Sequence, residues 1–240
     1  MNNNNSFEME EFTRSGLSMS AAFPALMRKV YVWMTLALAI TGITAYGVAT
    51  SPALQQLIFA SKATFFGLII AEFVLVFAIS GAINRLSLST ATLLFVLYSV
   101  VNGATLSSIF LMFSMTTIGK VFFITAGTFA VMAFVGYTTK TDLTSMGKLL
   151  FMALIGLIIA TVVNMFMKSA GFDLILSYIG VLVFVGLTAY DTQKIKHLLQ
   201  LAPDAGEHMQ KMALLGALTL YLDFVNLFLY LLRIFGNNKE

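Results

Sequence analysis

The chain has 240 residues, of which 59% are hydrophobic and only 10% are Asp, Glu, Lys or Arg, with a mean hydropathy of +0.90. A soluble domain carries about 25% of these charged residues, so the composition excludes a water-soluble globule and indicates an integral membrane protein. The net charge of +3 gives no support to nucleic-acid binding, and the lack of cysteine excludes disulfides and thiolate chemistry.

The N-terminal segment differs from the rest of the chain. Residues 1–20 are rich in Asn, Ser, Met and Glu and show no periodic apolar face. We predict a disordered cytoplasmic tail at 1–20, followed by a single seven-helix transmembrane domain at 21–240. The segment has neither the basic start nor the small-residue cleavage site of a removable signal peptide, so we expect the first span to remain as an anchor.

Seven apolar runs follow, each of a length that suits a membrane span. A bilayer core of about 30 Å requires ~20 apolar residues of helix. The runs are 30–50, 63–83, 90–113, 121–139, 149–167, 174–190 and 212–232. They are apolar on every face, which favours helices over the alternating strands of a barrel. Small residues four apart, such as Ala126 and Ala130, predict close helix contacts. The predicted fold is an all-α integral membrane bundle.

The basic residues predict the orientation of this bundle in the membrane. Nine lie on the side of the N-terminus: Arg14, Arg28, Lys29, Arg85, Lys140, Lys148, Lys194, Lys196 and Lys211. Five lie on the other side: Lys62, Lys120, Lys168, Arg233 and Lys239. Because cytoplasmic loops carry the excess of Lys and Arg, we predict a cytoplasmic N-terminus and, after seven spans, an external C-terminus.

Three acidic residues lie where lipid penalises a charge. Glu72 is near the middle of the second run, Asp223 is near the middle of the seventh, and Asp191 closes the sixth. Buried acids of this kind usually face a cavity, a partner or a water path. Two carboxyls that approach one another share a proton and respond to pH. The alternative is a satisfied polar cluster that only fixes helix register.

Further polar residues accompany these acids. Asn226 lies three residues after Asp223 on the same helical face, and Asn102 belongs to a polar line in the third run. Arg85 follows the second run, on the same predicted side as Asp191. We expect no enzyme activity and no tightly bound cofactor, because phosphate loops, zinc-protease motifs and nucleophile elbows do not occur.

Four segments together carry a resemblance to a known family. They are VYVWMT at 30–35, GYTTKTDLT at 136–144, TAYDTQ at 188–193 and LYLDFVNLF at 220–228. From about residue 23 to 235 the chain resembles a bacterial member of the transmembrane Bax inhibitor motif family, also called the Bax inhibitor-1 family. The resemblance implies seven helices with the last one central between two three-helix layers, in a bacterial inner (plasma) membrane.

The resemblance also implies a function and site residues. It implies a pH-sensitive calcium leak channel in which Asp191 and Asp223 form the pH sensor, Arg85 locks that pair, and Glu72 is the acid of the pore. Calcium prefers oxygen ligands, and conduction requires weak, multi-site binding. We therefore expect Glu72, Asp191 and Asp223 to hold the permeant calcium transiently, with Asn102 and Asn226 along the ion pathway.

Other functions remain open at this stage. One alternative is a non-conducting membrane regulator that binds other membrane proteins, and another is a proton-coupled cation exchanger. An intramembrane aspartyl protease would also place Tyr-Asp on its sixth span, as at 190–191, but its second motif is Gly-x-Gly-Asp and residues 220–223 are Leu-Tyr-Leu-Asp. The expected partners are the lipid bilayer, calcium, protons and, for the regulator, a membrane protein, with no nucleic acid.

Overall fold

The apolar runs form helices that match the predicted bundle. In a computed structural model, the backbone of residues 3–236 and the side chains of residues 22–236 are described, and within that part the chain contains helices and no strand. Seven of these helices are long and apolar enough to cross a membrane, which confirms the predicted number of spans.

Within residues 3–236 there are nine helices, two of them short. They are α1 (Asn3–Thr50), α2 (Pro52–Phe59), α3 (Lys62–Ala82), α4 (Leu88–Leu106), α5 (Ser108–Met112), α6 (Met115–Thr138), α7 (Thr144–Met167), α8 (Ala170–Gln200) and α9 (Glu207–Phe235). The sixth span differs most from its prediction, since α8 continues ten residues past 190 to Gln200. Lys194 and Lys196 do not end the helix, because lysine is a good helix former.

Serine side chains begin many of these helices. Ser51, Ser61, Ser87, Ser114 and Ser169 are N-cap residues whose hydroxyls accept a backbone N–H of the first turn. Such caps satisfy donors that the helix itself leaves unpaired. The helix starts are therefore determined locally by the sequence.

The N-terminal segment is helical where composition predicts an irregular tail. α1 begins at Asn3 and includes Pro24, and its membrane-spanning part begins at Ala22. Met and Glu, which are good helix formers, are frequent before the first glycine at residue 16. The side chains of residues 1–21 lie outside the described part of the chain, so the cytoplasmic tail at 1–20 stays a prediction.

The helices form two layers with α9 between them. One layer is α3–α4–α1 and the other is α7–α8–α6, and α9 packs against α1, α4, α6 and α8. Of the apolar window in α9, 67% is buried inside the bundle, against 6% of that in α3. This confirms that the last helix is central. Its polar residues therefore contact protein rather than lipid.

Glycines permit the closest helix approaches. A Cβ at Gly136 of α6 would overlap the backbone of Ala189 in α8, and one at Gly103 of α4 would lie 2.6 Å from the Thr41 carbonyl oxygen in α1. No larger residue fits at these crossings without a backbone shift. They fix α6 against α8 and α4 against α1.

Candidate functional site

The packing of α8 on α9 brings the two predicted aspartates together. The carboxyls of Asp191 in α8 and Asp223 in α9 lie close enough to interact, and both side chains are buried, at 9% and 4% exposure. Asp223 Oδ2 is buried and receives no hydrogen bond from any N–H or O–H group of the described residues. Two ionised carboxylates are acceptors only, so this contact becomes a hydrogen bond when one carboxyl carries a proton.

The structure does not bring Arg85 to this pair, contrary to the prediction. Arg85 is exposed in the turn between α3 and α4, and no ion pair joins it to either aspartate within residues 22–236. The reason is that α3 lies at the edge of the bundle and packs chiefly on α4. The basic residue whose charge acts on Asp191 is instead Lys194, one turn further along α8.

Glu72 occupies a separate polar site near the middle of α3. Its Oε2 accepts a hydrogen bond of 3.2 Å from Asn102 Nδ2 in α4, while Oε1 is buried without a partner in the described structure. Asn102 Oδ1 in turn accepts from the Tyr221 hydroxyl of α9 at 2.9 Å. Tyr221 also lies 2.7 Å from Thr41 Oγ1 in α1. One hydrogen-bonded chain thus joins four helices through the core.

This chain has fewer hydrogens than contacts. The Thr41 hydroxyl donates to the Ser99 carbonyl at 3.0 Å and the Tyr221 hydroxyl donates to Asn102, which leaves no hydrogen for the contact between the two hydroxyls. If the Asn102 amide were reversed, Asn102 Nδ2 would donate to the Tyr221 hydroxyl, that hydroxyl to Thr41 Oγ1, and the Thr41 hydroxyl to the Ser99 carbonyl. The Asn102 oxygen would then face Glu72, and Glu72 can donate a hydrogen bond to it only when its carboxyl is protonated. The Asn102 orientation and the Glu72 protonation state are therefore coupled.

A cavity opens beside Glu72. It has a volume of about 400 Å³, and its walls come from α3, α4 and α9 and include Glu72, Asn102, Thr105 and Asn226. Asn226 Nδ2 donates to the Leu222 carbonyl of its own helix at 2.8 Å, so the amide is held in place at the cavity wall. Glu72, Asn102 and Asn226, the residues predicted along the ion pathway, line this one cavity.

A second cavity lies toward the C-terminal end of α9. It has a volume of about 430 Å³ and shares Leu229 with the cavity beside Glu72. Its walls include Asp173 and Arg233, whose side chains form an ion pair of 3.6 Å and are 45% and 41% exposed. Each of the two cavities therefore has charged or polar residues in its walls.

The three predicted calcium ligands do not form one cluster. No group of three or more His, Asp or Glu side chains suited to a metal ion occurs among the described residues. Tyr221 and Asp223 are two residues apart on α9 and point to different sides of that helix, toward α4 and α8 respectively. Glu72 is linked to Tyr221 through Asn102, so Glu72 and the aspartate pair form two separate sites.

Sequence reasoning missed several buried polar residues. Tyr221 is fully buried and its ring packs edge-on against Phe95 and Tyr98, with centroids 5.9 and 5.7 Å away. Lys211 is 8% exposed, and its Nζ donates to the Leu86 carbonyl at 2.9 Å. In the sequence, its positive charge indicated only the side of the membrane on which it lies. The Tyr-x-Asp spacing at 221–223 was the available signal, since both residues interrupt an apolar helix.

Gln193 joins two of the segments that carry the family resemblance. Its Nε2 donates to the Thr141 carbonyl at 2.8 Å, and its Oε1 accepts from the Leu143 N–H at 2.9 Å. The turn between α6 and α7 is thereby fixed to α8 two residues after Asp191. The same two segments meet again where Gly136 crosses Ala189. This packing explains the residue types at Gln193 and Gly136.

A buried carboxyl pair inside a seven-helix bundle with a central last helix defines the class, a polytopic membrane protein with an acidic core. The family model described as inhibitor of apoptosis-promoting Bax1 matches residues 24–240, so the chain belongs to the Bax inhibitor-1 family. It is similar to the inner membrane protein YbhL of Escherichia coli K12, with 47% identity over 234 residues, 96% of this chain and 100% of that protein.

Other bacterial relatives are similarly extensive. An uncharacterized protein of Borreliella burgdorferi is 46% identical over 214 residues, which cover 89% of this chain and 92% of the relative. One from Rickettsia prowazekii is 43% identical over 216 residues, covering 89% and 90%. Together with the seven apolar helices, these similarities identify a multi-pass membrane protein of the bacterial inner-membrane type. The family is not a known enzyme family.

Proposed function

We propose that the protein is a pH-sensitive calcium leak channel of the inner membrane, gated by the proton that Asp191 and Asp223 share. The observation that carries this proposal is the contact between two buried carboxyls on neighbouring helices, with one Asp223 oxygen lacking any other partner. Two such groups cannot both ionise at low cost, so the number of protons they hold changes the force between α8 and α9.

The polar site on α3 supports an ion path. Glu72 presents a buried oxygen without a hydrogen-bond partner beside a cavity of about 400 Å³, and amide groups of Asn102 and Asn226 share its walls. Calcium is a hard cation that takes oxygen ligands, and a single carboxylate with neutral oxygens binds it weakly enough for release. Calcium is therefore proposed as the permeant ion, held transiently at successive binding sites rather than as a bound cofactor.

The gate is proposed without a direct role for Arg85. Within the described residues, the charged groups that act on the pair are the two aspartates themselves and Lys194. A proton lost or gained there changes a net charge that is shielded from water, where electrostatic forces are strong. The helix that responds is α8 or α9, since each contributes one carboxyl.

The sensor is tested by the pH profile of calcium entry into liposomes that contain only this protein. We expect calcium entry by the wild type to change with pH, and entry by the double variant D191N/D223N to be independent of pH, because neither amide can titrate. A wild-type pH profile in the double variant would contradict the sensor assignment. E72Q is expected to lower entry at every pH and keep the profile, because it changes the path and not the sensor.

Asp142 provides a matched control, since it is an aspartate in the turn between α6 and α7. Hydrogen bonds from the Thr144 hydroxyl and backbone N–H hold the pKa of Asp142 below its ordinary value. Because its pKa is lowered, Asp142 is ionised at neutral pH. The stability that its hydrogen bonds provide is fully present above the unfolded-state pKa and is lost only as the pH falls through the folded-state pKa. We therefore expect D142N to retain the wild-type profile at neutral pH.

A further inference from the structure

A long groove lies between α1 and α6. Both helices pack on α9, yet they leave a space of about 680 Å³ between them, with Phe224 of α9 at its base. The α6 wall contains Ala126, Ala130 and Ala133, which are small and make room in the groove. The four-residue spacing of Ala126 and Ala130 predicts a close helix contact, but in the structure both residues border this open space.

The groove has the length and chemistry of a lipid chain. On α1 its lining runs from Pro24 to Leu38 and on α6 from Tyr137 to Phe122, which at 1.5 Å per residue is about 21–23 Å. The hydrocarbon core of one leaflet is about 15 Å thick, half of the full thickness, so the groove is long enough to hold an acyl chain of that leaflet. Apart from Arg28, every lining residue is uncharged, and most are aliphatic or aromatic.

The one charged residue in the lining of the groove lies at one end. Arg28 lines that end and is exposed. Tyr137 is on the facing wall, and Lys196 of α8, behind the lining, has its Nζ 5.2 Å from the centre of the Tyr137 ring and donates to the Tyr137 carbonyl at 2.7 Å. Phe23 stacks on the same ring, with centroids 6.4 Å apart, and connects α1 to α6 there. At the other end, Leu38 and Phe122 line the groove without a charged residue, and the exposed Lys120 lies two residues before Phe122 outside the lining.

The geometry points to a binding site for an anionic phospholipid, with one acyl chain in the groove and the phosphate headgroup beside Arg28 and Lys196. Basic residues between helices at the membrane surface attract anionic headgroups, and an apolar cavity of several hundred Å³ accommodates the chain. The membrane is the source of this ligand. The site is independent of the proposed calcium path, because none of the acids of that path lines the groove.

The headgroup is tested with delipidated protein in detergent and added dioleoyl phosphatidylglycerol or dioleoyl phosphatidylcholine, with bound lipid counted by native mass spectrometry. We expect phosphatidylglycerol to bind more tightly. R28Q should lower that affinity about fivefold, the equivalent of about 1 kcal/mol. K120Q, which removes an exposed cation at the other end of α6, should leave it unchanged. Equal binding of the two lipids, or equal losses in the two variants, would overturn the headgroup assignment.

The chain site is tested with A130F, which fills the groove, and with V131F, which adds a ring at the neighbouring position, 61% exposed on α6. We expect A130F to lose the bound lipid and V131F to retain it, with both variants monodisperse. Equal lipid retention in the two variants overturns the proposal. It is also overturned if the wild type is a dimer that A130F dissociates, since a second copy of the chain would then occupy the groove.

Discussion

The informative residues are the few polar groups that the apolar spans retain in the core. Glu72, Asp191 and Asp223 are recognisable in the sequence because a carboxylate interrupts an apolar helix, and each is at least partly buried in the structure. Their partners are harder to predict. Tyr221 and Thr41 are chemically ordinary residues of a span, and only the packing of α9 against α1 and α4 brings their hydroxyls within 2.7 Å.

Arg85 illustrates the limit of inference from topology at this scale. The positive residues predict which side of the membrane a side chain reaches, but not which helix lies between two side chains. Arg85 and Asp191 are on the same predicted side, yet α3 is at the edge of the bundle and Asp191 is in its interior. Lys194 acts on Asp191 because residues three apart share a helical face.

Removal of the Tyr221 hydroxyl tests the polar chain that joins α1, α4 and α9. Y221F keeps the ring packed between Phe95 and Tyr98 but leaves the buried Asn102 oxygen without its donor. We expect a loss of about 1–3 kcal/mol in the free energy of unfolding, measured by thermal unfolding in detergent. Y178F is the control, because Tyr178 is 55% exposed. Equal destabilisation by both changes would contradict the account of this chain.

At the scale of elements, the spans were predictable because apolar length and serine caps are local signals. Seven runs were expected and seven spanning helices are present among the described residues. The extension of α8 to Gln200 was not predicted, because a search for uninterrupted apolar runs stops at the first charge. The short α2 was also not predicted, since it is not long enough to appear as a span, and neither was the interruption at Ser107 that separates α5 from α4 within the third run.

The crossing of α6 and α8 gives a sharp test at this scale. A Cβ at Gly136 would overlap the Ala189 backbone, whereas one at Gly127 on the same helix would meet nothing within 4 Å. We expect G136A to destabilise the protein by about 1–3 kcal/mol because the two helices must move apart. G127A should be neutral or slightly stabilising, because alanine is the better helix former. Unfolding in detergent compares them, and equal stability would show that the helices do not cross at Gly136.

At the scale of the whole molecule, the central position of α9 was expected from the family resemblance, and its packing on α1, α4, α6 and α8 confirms it. Composition alone could not order the helices, because lipid and protein interiors are both apolar and most spans carry similar residues. The exceptional burial of α9 corresponds to its polar content, since Lys211, Tyr221 and Asp223 require protein partners.

The orientation of the molecule is a separate prediction. Nine basic residues on the N-terminal side against five on the other predict a cytoplasmic N-terminus and an external C-terminus. In bacterial cells, we expect alkaline phosphatase fused after residue 240 to be active and the same enzyme fused within the loop at 201–206 to be inactive. The reverse pattern would invert the predicted topology and exchange the two ends of the proposed calcium path.

The central claim is that this protein alone conducts calcium. The most direct measurement is calcium entry into otherwise protein-free liposomes that contain the purified wild type and a trapped calcium indicator, with and without an imposed proton gradient. The account predicts entry down the calcium gradient that requires no proton gradient and falls in E72Q. It would be contradicted by entry no faster than in empty liposomes, as for a regulator, or by entry only with a proton gradient, as for an exchanger.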